Sequence, residues 1–165
     1  GAGAIGTAVI HRLLERHWDV LIWDTHPDVR AAWSRDSRVR VVTDLTEGEG
    51  GKSRVFFPCA VGGMYEEGKA RPSLPVFVCG GANRILQSRS SAAWTHQRGG
   101  WIFPSVLSSA GAVIQGMAPW IPGGLPAEEL MRLNRRRGKA VMEAAFERNC
   151  PPWVVTMDSQ PDAFD

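Results

Sequence analysis

The chain opens on glycines at fixed spacing, Gly1-Ala2-Gly3-Ala4-Ile5-Gly6, and passes directly into a helical pattern. Apolar Ile5, Ala8, Val9 and Leu13 recur at three- and four-residue steps between Ala4 and Arg16, which predicts a helix with one buried face. A glycine turn at a helix amino terminus leaves several backbone N–H groups without an intrahelical partner and lets the backbone come close to an anion. Gly1 is expected to make the tight turn, Gly3 to leave out the side chain that would block a phosphate, and Gly6 to let the helix pack against a sheet. With Ala4 and Ile5 these glycines form the first candidate binding segment.

Val20-Leu21-Ile22-Trp23 follows as a strand ending at Asp24 and Thr25, and Pro27 suits the first turn of a second helix. A carboxylate at the end of this strand, about 20 residues beyond the glycine turn, can accept hydrogen bonds from ribose hydroxyls and would repel a 2′-phosphate. The pair of features predicts NAD in preference to NADP. The bland alternative is a Gly/Ala-rich loop with an unrelated strand-end aspartate. Arg30 and His26 do not directly follow Asp24 and are given no weight in this preference.

Further short strands are predicted at Val39 to Val42, Val55 to Phe57, Val76 to Val78 and Trp101 to Phe103, apolar on both faces as buried parallel strands are. Helices are predicted at Asn83 to Gln97, Ser109 to Met117 and Glu128 to Arg148, the last with Leu130, Leu133, Val141 and Ala144 on one side. Pro119 to Pro126 reads as a loop, and the residues from Pro151 onward read as a Pro-rich, uncapped tail. The pattern implies an α/β class, a Rossmann-type doubly wound parallel sheet. In that fold a first strand precedes the glycine turn, so the chain is expected to be a dinucleotide-binding domain cut before its first strand. Three apolar side chains of such a strand would contribute roughly 5 to 9 kcal/mol by burial.

Composition narrows the alternatives. A chain of 165 residues with 44% hydrophobic and 22% charged residues suits one globular unit, and no stretch approaches the roughly 20 apolar residues of a membrane span. A net charge of +2 does not argue for nucleic acid; Arg132, Arg135, Arg136, Arg137 and Lys139 read as a solvated helical face. Three cysteines without a Cys-x-x-Cys pair, and four histidines without His-Glu-x-x-His spacing, point to neither disulfides nor a metal and fit a reducing, cytoplasmic setting. Gly51-Lys52-Ser53 imitates the end of a nucleoside-triphosphate loop but lacks the earlier glycine, since Thr46 stands there. Glu47 to Ser53 reads instead as a surface connection. The seven tryptophans are expected mostly in the core or at interdomain contacts.

Beyond Asp24, Arg54-Val55-Phe56-Phe57-Pro58-Cys59-Ala60-Val61-Gly62-Gly63, Val78-Cys79-Gly80-Gly81-Ala82-Asn83, Arg98 to Pro104 and Ser109 to Ile114 stand in an order and spacing that resemble one family. With the opening glycines and Trp23-Asp24-Thr25, residues 1 to about 148 resemble the cofactor domain of the glutamate/leucine/phenylalanine/valine dehydrogenases, nearest the leucine and phenylalanine branch. The resemblance implies that Cys59 and Ala60 lie against the dinucleotide, and that the Asn83 amide lies near the nicotinamide ribose and the substrate. Read from the residues alone, Cys59 could equally be a small buried side chain and Asn83 a helix N-cap. It further implies oxidative deamination of an amino acid, a homo-oligomer, and catalytic lysines and an aspartate in an amino-terminal domain outside this chain, so no catalytic residue is assigned here. Where the family reads Pro-Asp and Asn-Ala-Gly-Gly, this chain has Pro104-Ser105 and Ser109-Ala110-Gly111-Ala112, and Arg84 replaces a second asparagine. A hydroxyl is shorter than an amide and cannot bridge two partners in the same way. A non-catalytic NAD-binding or sensing domain is the rival reading, and a 2-hydroxy-acid dehydrogenase would need a catalytic histidine for which only His96 is available.

Overall fold

The computed structural model describes residues 1–45, 54–60, 77–82, 85 and 89–158. The order of elements is α1 (Ala4–Leu14), β1 (Val20–Ile22), α2 (Pro27–Trp33), β2 (Val39–Val41), β3 (Val55–Phe56), β4 (Phe77–Val78), α3 (Arg89–Gln97), β5 (Trp101–Ile102), α4 (Ser105–Ser108), α5 (Ala110–Met117), a 3₁₀ turn (Ala118–Trp120), α6 (Ala127–Arg148) and α7 (Pro152–Asp158). Every strand pair is parallel, as the α/β reading requires. The ladders form two pieces, β1 beside β2, and β3-β4-β5. Val20, Leu21 and Ile22 pair with Val39, Arg40 and Val41; Val78 pairs with Phe56 on one side and Ile102 on the other.

Residues Gly1 and Ala2 lie between the pieces. The Gly1 nitrogen donates to the Trp23 carbonyl just past β1 at 3.2 Å, and a Cβ on Gly1 would stand 2.7 Å from Ala60 Cβ, just past β3. Each piece has its own core. Ala2, Ile10, Val20 and Ile22 cluster under β1, while Val78, Ala82, Ile85 and Ile102 cluster under β4. A third cluster, Leu107, Val141, Ala145 and Val155, joins α4, α6 and α7.

Three helices stop in the same way. After α1, α3 and α6 the chain turns at His17 (φ 57°), Gly99 (φ 80°) and Asn149 (φ 46°), and in each case the next N–H reaches back to the carbonyl five residues earlier: Trp18 to Leu13, Gly100 to Thr95, Cys150 to Ala145. This left-handed closure satisfies carbonyls that the helix leaves open, and glycine or asparagine accommodates it at least cost. In α6, Glu128 and Glu129 in the first turn and Arg148 in the last complement the helix dipole.

Several expectations need correction. The strands are two or three residues long and β1 and β2 are open on one face, with Leu21 and Arg40 exposed, so they are not apolar-buried on both sides. On α1 the buried positions are Gly6 and Ile10; Ile5 and Ala8 are exposed and form, with Ala4, Val9, Arg12, Leu13 and Phe57, the wall of an open apolar groove of about 650 Å³. Periodicity detects an apolar stripe but not what covers it. On α6 the buried residues are Gly138, Val141, Met142 and Ala145, and Leu133 is exposed. The tail after Pro151 begins with α7, which docks Val155 into the third core. The segment between Pro104 and Ser109 is a further short helix. Of the tryptophans, Trp33 and Trp101 pack against the cores while Trp18 and Trp120 are exposed. Helix α3 begins at Arg89; the predicted start at Asn83, and the connection from Glu47 to Ser53 with its Gly51-Lys52-Ser53, extend outside the described residues.

Ile85 is 1% exposed within the β4 core, whereas Leu21 is 45% exposed. Ile85→Ala should lower urea stability by about 2–5 kcal/mol, and Leu21→Ala by less than about 1 kcal/mol. Equal losses would contradict this assignment of the core.

Candidate functional site

The site is assembled from the ends of three elements and the start of one. Helix α1 opens at Gly3, in extended conformation (φ −68°, ψ −161°), with no side-chain cap and no acidic residue in its first turn. The Thr7 N–H already closes on the Gly3 carbonyl at 2.8 Å, so the free donors are those at the very start of the helix. A Cβ at Gly3 would meet nothing within 4 Å, leaving clear space over the helix end. An anion placed there would meet the positive end of the helix dipole.

The other glycines act through close packing. A Cβ on Gly6 would stand 2.1 Å from the Gly1 carbonyl oxygen, so Gly6 lets the helix seat against its own turn; the expected partner was the sheet, and Cys59 Cβ at 3.5 Å is the nearest sheet-end atom. Gly81, past β4, would drive a Cβ to 2.8 Å from Ile5 Cγ2 and 3.1 Å from Cys59 Sγ. The absence of side chains at Gly1, Gly6 and Gly81 therefore brings the ends of β3 and β4 against the start of α1. Ile5 and Cys59 meet at Gly81, and Ala60 meets Gly1.

Asp24 completes the arrangement. The residue is only 7% exposed, with Oδ2 accepting the Ala2 N–H at 2.7 Å and Oδ1 accepting the His26 N–H at 2.8 Å. Burial alone would push the carboxyl up, but these two backbone donors, with the nearby His26, hold it below the usual carboxylate value. Asp24 is therefore ionised at neutral pH, and each oxygen retains acceptor capacity beyond its one backbone bond. Thr25 is exposed beside it. Asn83 lies outside the described residues.

Cys59 and Cys79 are not activated as nucleophiles. Burial pushes the Cys59 thiol up against an opposing hydrogen bond from Gly81, and burial together with neighbouring Cys59 pushes up Cys79. Among the described residues, no group of three His, Cys, Asp or Glu side chains gathers as a metal site. Among the same residues, no helix is long and apolar enough to cross a membrane. Arg132, Arg135, Arg136, Arg137 and Lys139 are exposed on α6, with Arg132 paired to Glu129 and Lys139 to Glu143.

Two contributors escape sequence reasoning. Ala2, the residue between the first two glycines, supplies the N–H that fixes Asp24, and Thr7 Oγ1 in turn donates to the Ala2 carbonyl at 3.0 Å. Arg30, discounted for its distance from Asp24, donates to the carbonyls of both Asp24 and Thr25. The available signal was its place in a short helix opened by Pro27, where side chains lean back toward the helix start.

What these elements define is an open parallel α/β fold with an anion-receptive helix start and an ionised carboxylate at the neighbouring strand end. Neither a protein-family model nor a curated protein matches the chain. Among solved structures it is similar in fold to L-tryptophan dehydrogenase from Nostoc punctiforme, with a TM-score of 0.78 at 21% identity over 96% of this chain. It spans 47% of that enzyme's chain, about half its length.

Two measurements test the geometry. Gly6→Ala should destabilise the protein by more than about 2 kcal/mol through the clash with backbone, whereas Gly3→Ala, with open space and an ordinary φ, should stay within about 0.5 kcal/mol; the reverse ranking would refute the turn described. Because the Asp24 carboxyl is held low, its stabilisation is complete above the ordinary value of 3.8 and is lost as pH falls through the lower folded value. The stability gap between the parent and Asp24→Asn should thus hold steady at neutral pH and narrow as pH falls below 3.8, and a constant gap would argue against an ionised Asp24.

Proposed function

We propose that this chain is the dinucleotide-binding part of an NAD-dependent amino-acid dehydrogenase. The observation that carries the reading is Asp24, a buried, ionised carboxylate held by Ala2 and His26 N–H groups at the strand end beside an uncapped, glycine-opened α1. The residues fit the cofactor in kind. The start of α1 and the clear space over Gly3 suit a pyrophosphate, and Asp24 suits the adenosine ribose hydroxyls while opposing a 2′-phosphate. Cys59, Ala60 and Gly81, past the carboxyl ends of β3 and β4, stand where ligands of open parallel sheets bind.

The proposed reaction converts an amino acid, water and NAD⁺ into a 2-oxo acid, ammonium and NADH with release of a proton. The nicotinamide supplies the hydride acceptor when bound, and this chain's residues hold and orient the dinucleotide. Support for the substrate class comes from the shared fold with an L-tryptophan dehydrogenase and from the ordered segments described above. Groups that act on the amino acid are assigned to a second domain, and the working enzyme to a cytoplasmic homo-oligomer that binds neither nucleic acid nor membrane.

One observation favours a second reading, a non-catalytic NAD-binding domain of the same descent. Ser109 Oγ donates to the Ser105 carbonyl at 2.6 Å, so the serine that replaces the family's asparagine is engaged with its own helix. Amino-acid-dependent formation of NADH by the full-length protein separates the two.

Binding of NADH, followed by its fluorescence, tests the cofactor site directly. Asp24→Ala should weaken it at least about tenfold, since hydrogen bonds to a charged acceptor contribute about 1.5–3 kcal/mol each. Gly3→Val should also weaken it while leaving thermal unfolding almost unchanged, because among the described residues nothing lies within 4 Å of a Cβ at this position. Unaltered affinity in both variants would refute the assignment.

A further inference from the structure

Arg30 lies near the end of α2 and turns its side chain back over the turn that precedes the helix. A single guanidinium nitrogen, Nη1, donates to the Asp24 carbonyl at 2.8 Å and to the Thr25 carbonyl at 2.9 Å. At this turn the N-cap residue His26 makes no side-chain cap, and Pro27 has no N–H to contribute. The Arg30 main chain is engaged as well, its N–H donating to the His26 carbonyl at 3.2 Å and its carbonyl accepting the Ser34 hydroxyl at 2.8 Å. Asp24 is thus held at both ends. Its carboxylate takes the N–H groups of Ala2 and His26, and its own carbonyl takes Arg30.

The direction of an aspartate side chain follows from the dihedral angles of its residue, and the His26 N–H can reach Oδ1 only if the Asp24–Thr25 peptide keeps its orientation. We propose that Arg30 is a positioning residue of the dinucleotide site: by holding the Asp24 and Thr25 carbonyls together it aims the Asp24 carboxylate at the ribose. This inference rests on the reading of Asp24 given above. It has a second consequence for selectivity. Arg30 is a cation within one short helix of the ribose position, the type of group that could receive a 2′-phosphate. Two carbonyl oxygens hold its Nη1 at the turn instead, while the guanidinium keeps its charge, so discrimination rests on the orientation of the Asp24 carboxylate.

The test compares NADH and NADPH affinities, with thermal unfolding, in the parent protein, Asp24→Ala, Arg30→Met and Arg30→Lys. Methionine keeps much of the length and loses the donors; lysine keeps donors at nearly the same reach. In Arg30→Met, NADH affinity should fall about tenfold, or about 1.4 kcal/mol, while NADPH affinity falls much less, so discrimination narrows; Arg30→Lys should restore most of it. If Arg30→Met binds NADH like the parent while Asp24→Ala does not, the proposal is overturned and the dinucleotide reading stands. Losses of NADH and NADPH affinity in equal proportion, following a lower melting temperature, would reduce Arg30 to a structural role and also overturn it. A parent protein that fails to bind NADH, or an Asp24→Ala variant that binds it normally, removes the dinucleotide reading and this inference with it.

Discussion

The 2.7 Å hydrogen bond from the Ala2 N–H to Asp24 Oδ2 is the constraint on which the site depends. It ties the glycine turn to the end of β1 across 22 residues of chain. Without it the start of α1 would be tied to β1 by the Gly1 bond to the Trp23 carbonyl and by packing, and Asp24 would be a buried charge with one partner, a costly state. With it, the carboxylate has a second backbone donor beside His26, and the distance between the helix start and the strand end is set. The glycines beside it work to the same end by removing side chains where backbones must meet.

The fold class and the glycine turn at its edge were largely legible in the sequence. The glycine spacing, the helix and strand that follow, and the aspartate at the strand end are local patterns, and each corresponds to a local feature of the structure. Parallel pairing was legible too, because short apolar runs alternating with helical segments leave few other arrangements. The closing helix α7 was missed because Pro151 and Pro152 suggest a coil, although a proline in the first turn of a helix is well tolerated.

What escaped was long-range or depended on neighbours. The buried side of α1 could not be inferred from an apolar stripe, since Ile5, Ala8, Val9 and Leu13 line a groove while Ile10 faces the core under β1. The role of Arg30 is invisible to motif matching because it contacts carbonyls, which every residue carries. Gly6 illustrates the same limit at short range: its spacing marked it, but the surface it meets is the Gly1 carbonyl.

The two ladders of the sheet approach each other at the glycine turn, where Gly1 meets the Trp23 carbonyl past β1 and Ala60 past β3. A molecule seated at that turn touches strand ends from both ladders. Its binding then stabilises the arrangement that brings those ends together, so occupancy and stability are linked functions.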